Sequence, residues 1–375
     1  MWVAIFGTVI IMAIGAVAYL CNRVYRFADV GKKIALRVNR RLRMFQSVIG
    51  VLVAIDLLCI AVGYVNAVII IIHLVVFWLL SDLLFFIIKK VRRAGFSYNF
   101  AGALAVMTTA VYFSVGWVLA HDVRVTRYEI GTDKAVGDLR IVMFADAHVG
   151  STFDGDGFAE YVSQMQSYNP DVVIIAGDYV DDDTPRDDLE KACRALGTLK
   201  TKYGVYYAFG NHDKGYYSDS HRSYTAADLI AELEKNDVII LQDEVKLIDD
   251  RFYIIGRQEA EEARRGNGNG NRAEISELTK DLDDGKYQIV INHQPTDYAN
   301  ETAAGVDLVL SGHTHGGQMF PIGLISDLFG LNDMVYGHEK RGATNFIVTS
   351  GISDWAIDYK TGCFSEFVVI DVKGK

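Results

Sequence analysis

Five of the chain's nine histidines stand in short polar clusters that each follow an apolar run. The densest is Ser311-Gly-His-Thr-His-Gly-Gly-Gln318, directly after Val306 to Leu310. Two imidazoles two positions apart can converge on one cation if the backbone turns, and glycines 312, 316 and 317 permit such a turn. The other clusters supply partners. Ala145-Asp146-Ala147-His148 follows Leu139 to Phe144, and Gly177-Asp178-Tyr179-Val180-Asp181 follows Val172 to Ala176. Gly210-Asn211-His212-Asp213 follows Val205 to Phe209, and Asn292-His293-Gln294-Pro295 follows Ile289 to Ile291.

The runs before these clusters read as buried strands. So do Leu308 to Leu310, Val238 to Leu241, Phe252 to Ile255, Phe346 to Val348 and Phe367 to Ile370. Phe158 to Tyr168, Asp187 to Leu199, Ala226 to Lys235 and Ala273 to Leu282 read as helices. Strands alternating with helices imply an α/β sandwich, and the carboxyl ends of strands in such sheets converge on one crevice. Residues far apart in sequence are thus expected to be neighbours. Asp146, His148, Asp178, Asn211 and three later histidines offer more nitrogen and oxygen donors than one ion takes up. Two divalent ions sharing a carboxylate fit that number, and imidazole mixed with carboxylate and amide suits manganese, iron or zinc.

The ordered set DxH, GDxxD, GNHD, NH and GHTH, spread over about residues 137 to 373, resembles the calcineurin-like metallophosphoesterase superfamily. The tail GHTHGGQ is similar to a branch whose members are often tethered to membranes. The resemblance implies a four-layer α/β/β/α sandwich over 139–375. It implies that Asp146, His148 and His315 hold one metal, that Asn211, His293 and His313 hold the second, and that Asp178 bridges both. A hydroxide generated between the ions would then attack a phosphate ester. His212, in the motif but not a ligand, would stabilise the transition state or protonate the leaving oxygen, with Asp213 orienting its ring. Asp181 reads as a carboxylate supporting the loop. Ala147 departs from the larger apolar residue common there, which affects packing rather than ligation. Arg257 could clamp a substrate phosphate or be a solvated surface residue. Tyr216, Tyr217, His221 and Arg222 could form part of a substrate wall.

The first 120 residues differ in kind. About Met1 to Leu20, Phe45 to Val65, Ala67 to Ile88 and Tyr98 to Ala120 each approach the roughly 20 apolar residues that cross a bilayer, so an all-α bundle of four transmembrane helices is expected. Residues 21–44 carry eight Lys or Arg and residues 89–93 carry four, whereas the connection Gly63 to Ala67 carries none. Basic loops stay in the cytoplasm, which puts the part after a linker at 121–138 on the extracytoplasmic side of a plasma membrane. Residues 1–120 have a net charge of +9 and residues 121–375 of −19. An acidic domain disfavours a nucleic-acid partner. A phosphodiester or a phospholipid or envelope-linked ester is the favoured substrate, with membrane lipids as the surroundings. The alternatives are a phosphomonoesterase for soluble substrates and a metal-binding scaffold without turnover. Asp56, His73 and Asp82 are costly within a membrane and suggest function. Cys193 reads as a buried thiol on its helix, with a bridge to Cys363 possible, and Gly266 to Asn271 as an exposed loop.

Overall fold

The computed structural model describes residues 14–25, 40–93, 98–215, 221–260 and 272–375. It divides into two compact units, Met1–Val115 and Gly116–Lys375. The first contains α1 (residues 14–25), α2 (Arg40–Val62), α3 (Tyr64–Arg92) and most of α4 (Tyr98–His121). Three stretches are long and apolar enough to cross a membrane: Arg41–Val62, Tyr64–Arg92 and Phe100–His121. Of the first expected span, residues 1–13 lie outside the described residues, and 14–25 are helical.

Two of the three polar residues singled out in this unit have side-chain or backbone partners. Asp82 pairs with Arg23 and accepts from the Tyr19 hydroxyl at 2.7 Å. His73 Nδ1 lies 2.8 Å from the Ile69 carbonyl, with its ring stacked on Tyr112. Asp56 is exposed on α2.

The second unit is built on two six-stranded sheets. One has the order β1 (Arg124–Gly131), β12 (Glu366–Lys373), β2 (Asp138–Phe144), β3 (Val172–Ala176), β4 (Val205–Ala208) and β5 (Val238–Ile240). The other runs β10 (Gly337–Arg341), β11 (Thr344–Val348), β9 (Leu308–Ser311), β8 (Tyr287–Ile291), β7 (Phe252–Gly256) and β6 (Glu244–Ile248). Residues 121–138 are therefore more than a linker: Arg124–Gly131 forms an edge strand paired in parallel with β12.

Strand alternation explains the core. On β2, Ile141 and Met143 join one apolar cluster while Val142 and Phe144 join another; on β3, Val172 and Ile174 part from Val173 and Ile175 in the same way. The shared cluster also takes Ile254, Ile289, Leu308 and Ile347 from the second sheet, so it lies between the sheets. The outer face of the first sheet is covered by α5 (Gly155–Ser167), α6 (Arg186–Leu196) and α7 (Ala226–Lys235), through Phe158, Leu189 and Leu229. Ile275 of α8 (Ile275–Thr279) and Tyr298 of α9 (Tyr298–Ala303) pack on Val290 and Val309 of the second sheet. Cys193 is a free thiol buried on α6, and Cys363 is also free. Strands β2 to β5 are mutually parallel, as are β7, β8, β9 and β11, so each sheet presents one row of carboxyl ends.

Candidate metal centre

Each ligand candidate leaves a strand within a few residues of its end. Asp146 and His148 follow β2, Asp178 follows β3, Asn211 follows β4, His293 follows β8, and His313 and His315 follow β9. The turns are sharp. Asp146, His148, Asp178, His313 and His315 all adopt left-handed backbone, with φ of 52°, 36°, 49°, 72° and 47°. Such conformations cost of order 1–3 kcal/mol each for non-glycine residues and persist where the surroundings over-determine them. Gly177 makes one crossing possible: its φ is 84°, and a Cβ there would fall 2.6 Å from His293 Nδ1 and from the Gly210 amide nitrogen.

The result is two adjacent donor groups. Ligand atoms of Asp146, His148 and His315 lie within 4.8 Å of one another, as do those of Asp178, His293 and His313. Asn211 joins the second, its Oδ1 being 2.8 Å from His313 Nδ1 and 3.2 Å from His293 Nε2. Asp178 stands between the groups, with Oδ2 3.0 Å from His293 Nε2 and 3.9 Å from His148 Nε2. All seven sequence candidates are thus brought together.

Neighbours fix the rings. His293 Nδ1 donates to the Ala176 carbonyl at 2.7 Å, which aims Nε2 at the centre. His148 Nδ1 lies 3.2 Å from Asp181 Oδ2, leaving Nε2 on the centre side. His148 Nε2 and His315 Nδ1 are buried without a hydrogen-bond partner. Orphaned imidazole nitrogens beside two carboxylates are what a cation of the manganese, iron or zinc type would satisfy, so the residues fit such ions.

The electrostatics agree. Burial pushes the carboxyl of Asp178 up, yet the facing His293 and the other imidazoles outweigh it and hold Asp178 well below its ordinary value. Burial likewise opposes charge on His293, and the attraction of Asp178 wins, raising His293 to about 10. Burial raises Asp146 to about 6. A proton on His293 Nε2 and a cation there exclude each other, so metal uptake releases a proton.

Other candidates are placed differently. His212 lines the same cavity, of about 770 Å³, with its ring 4.6 Å from that of Trp355 and its backbone N–H donating to Asp178 Oδ1 at 2.8 Å. Asp213 was expected to orient the His212 ring; instead its carboxylate accepts from the backbone N–H groups of Asp178, Tyr179, Val180 and Gly210, at 3.0, 2.8, 3.2 and 2.6 Å. Four amides saturate it, and it shapes the loop that carries Asp178. Arg257 is neither a phosphate clamp nor a solvated surface residue. It is 3% exposed, and its Nη1 pairs with Asp297 at 2.6 Å and Glu301 at 3.2 Å. Arg222 is buried too, donating to the Asp213 carbonyl at 2.8 Å. Tyr216, Tyr217 and the Gly266 to Asn271 loop lie outside the described residues.

Two contributors escaped the sequence reading. Trp355 forms one wall of the cavity, and Lys360, fully buried, donates to the carbonyls of Ser350 and Gly351 beneath Asp146, at 2.7 and 3.2 Å. Trp355 lies seven residues past the end of β11, beyond the reach of the strand-end rule, and nothing in the pattern marks Lys360.

Comparison with known proteins agrees with this geometry. Residues 139–317 match the calcineurin-like phosphoesterase family. An uncharacterised metallophosphoesterase of Campylobacter jejuni is 31% identical over 240 residues, 64% of this chain and 60% of that one. A transmembrane protein with metallophosphoesterase domain from Bos taurus is 28% identical over 274 residues, 70% of this chain and 60% of that one. The chain thus spans about three fifths of the length of these relatives. An uncharacterised metallophosphoesterase of Bacillus subtilis is 26% identical and is covered over 91% of its length. Over residues 139–317 the chain is thus similar to the calcineurin-like phosphoesterases.

Proposed function

We propose that this chain is a membrane-anchored phosphoesterase using two divalent metal ions, of manganese, iron or zinc, to hydrolyse phosphodiesters or phospholipid and envelope-linked esters. The observation that carries it is the convergence of two donor triads, Asp146/His148/His315 and Asp178/His293/His313, at one cavity. When bound, the ions supply Lewis acidity toward the phosphoryl oxygens and toward water. Asp146, His148 and His315 would hold one ion, Asn211, His293 and His313 would hold the other, and Asp178 would serve both. Asp181 holds His148, and the Ala176 carbonyl holds His293. Burial, the dominant influence, lowers the pKa of His212. A ring on the cavity wall is placed to stabilise charge on the phosphoryl group or to pass a proton to the leaving oxygen.

The three apolar stretches support membrane anchoring, and the basic residues at 21–44 and 89–93 favour an extracytoplasmic catalytic unit at a plasma membrane. Three separate apolar clusters are consistent with a four-layer α/β/β/α arrangement. The test is hydrolysis of bis-para-nitrophenyl and para-nitrophenyl phosphate by the full chain in detergent, stripped of metal and resupplied with Mn²⁺. Metal-dependent diester cleavage, reduced on the order of 10²-fold by His212→Ala, is expected. Two bound ions with no turnover would instead favour the scaffold reading, and a preference for the monoester would favour the phosphomonoesterase.

A further inference from the structure

The helix α10 (Ile322–Phe329) begins five residues after the last glycine of GHTHGG, and its polarity is inverted. A surface helix ordinarily turns apolar residues inward. Here the buried position is Ser326, while Ile322, Leu324, Ile325, Leu328 and Phe329 are exposed, Leu328 by 80%. Beyond residue 121, nine large apolar side chains are exposed among the described residues, and seven of them fall within 320–331. An eighth is Trp355, on the wall of the metal cavity. A contiguous apolar patch beside a catalytic cleft marks an interaction surface.

One short segment shows what covers it. Residues 355–365 touch the cavity, the lead into α10 and the end of the last apolar helix α4. The Gln318 side chain donates to the Ile357 carbonyl at 2.7 Å, and the Gln318 carbonyl accepts from the amides of Thr361 and Gly362 at 2.8 and 3.0 Å. The Phe320 amide donates to Thr361 Oγ1 at 3.1 Å. The same segment holds the last turns of α4: the Lys360 amide bonds the Gly116 carbonyl at 3.0 Å, and Ser365 bonds the carbonyls of Leu119 and Ala120 at 2.9 and 2.7 Å. The patch is therefore bolted to the end of a helix long and apolar enough to cross a bilayer. It is also seated firmly on the metal loop, since a Cβ on Gly317 would lie 2.5 Å from Gly323 Cα.

We infer that α10 and its flanks dip into the face of the same bilayer that α4 crosses, holding the mouth of the metal cavity against phosphate esters carried on lipid. The inference rests on the phosphoesterase reading for its substrate and on the apolar helices being membrane spans. Inward-facing Gly323 and Ser326 with outward Leu, Ile and Phe suit hydrocarbon on the exposed side.

The test uses the full chain in phosphatidylcholine nanodiscs with Leu328→Cys carrying a nitroxide, the labelled unsubstituted chain giving the background of the native cysteines. Collisions with oxygen exceeding those with a water-soluble nickel chelate are expected; the reverse places residue 328 in water and overturns the inference. Spin–spin broadening that disappears on dilution with unlabelled chain assigns the face to a second copy, which also overturns it. In a second arm, Leu324→Ser/Leu328→Ser/Phe329→Ser is expected to lower hydrolysis of a fluorescent phospholipid in the nanodisc at least 10-fold. Hydrolysis of soluble para-nitrophenyl esters should stay within twofold. Equal loss of both activities, or loss of neither, removes the presenting role. If the unsubstituted chain hydrolyses nothing, the phosphoesterase reading fails, while the nitroxide depth still decides whether the helix enters the bilayer.

Discussion

Two buried polar clusters sit a few residues apart along the chain, and they solve the problem of buried charge in opposite ways. Around Arg257, two guanidinium groups meet two carboxylates: Arg257 pairs with Asp297 and Glu301, Arg272 donates to Asn292 Oδ1 at 2.8 Å, and Asn292 donates to Glu301 at 2.8 Å. That cluster carries its own cations. At the metal centre, Asp146 and Asp178 face imidazoles and backbone amides, and no arginine or lysine of the described residues bonds to either carboxylate. Counter-charge held as a proton on an imidazole such as His293 can be exchanged for a metal cation, whereas a cluster neutralised by guanidinium groups has nothing to exchange and serves as scaffolding. Charge balance therefore separates the two more reliably than their positions at strand ends.

Three changes would break or sharpen this contrast. The largest effect is expected from Asp178→Asn, which removes the carboxylate proposed to serve both seats. Metal content should fall below two ions per chain and Mn²⁺-supported turnover by on the order of 10³-fold or more, measured by elemental analysis and single-turnover assay. Retained turnover would show that Asp178 is not the bridge.

Arg257→Met should act on stability instead. Leaving Glu301 and Asp297 unpaired costs roughly 3 kcal/mol, a drop in thermal midpoint of about 6–12 °C, with turnover per folded molecule little changed. An unaltered midpoint together with a raised KM for phosphate esters would return Arg257 to the substrate.

The smallest effect is a pH slope. Burial, only partly opposed by Arg257 and Arg272, raises Glu301 from 4.5 to about 7. Because the folded value lies above the unfolded one, its contribution is full below pH 4.5 and is lost as pH rises through 7. Glu301→Gln should therefore destabilise the protein more at pH 5 than at pH 8 in denaturant titrations. Equal destabilisation at both values would mean Glu301 stays ionised in the fold.

What was legible in the sequence follows from where burial is symmetrical. Strands β3, β8 and β9 are buried on both faces, so they read as unbroken apolar runs, and the ligands that follow them could be grouped without knowing the sheet. Edge strands carry no such run. Arg124–Gly131, Glu244–Ile248 and Gly337–Arg341 are largely exposed and alternate irregularly, so the first falls within the segment read as a linker and the other two match no strand pattern. Helix α10 was missed because it is only eight residues long, and its apolar residues, though spaced for one helix face, point away from the protein. Arg257 misled because a guanidinium just after a strand looks the same in sequence whether it meets a phosphate or a buried glutamate. The partner, Glu301, is 44 residues away.

The pairing of β1 with β12 carries a consequence for biosynthesis. Arg124 aligns with Glu366 and Gly131 with Lys373, so the strand that follows the last apolar helix waits for a partner 242 residues downstream. At roughly 5–20 residues per second, the ribosome takes about 10–50 s to deliver it. Over that interval the edge of that strand stays unpaired, open to pairing with whatever strand passes. The segment that ties down the end of α4 is made in the same final stretch, at Lys360 and Ser365. Nascent chains stalled short of residue 366 should therefore keep an open sheet edge, the form most in need of a chaperone.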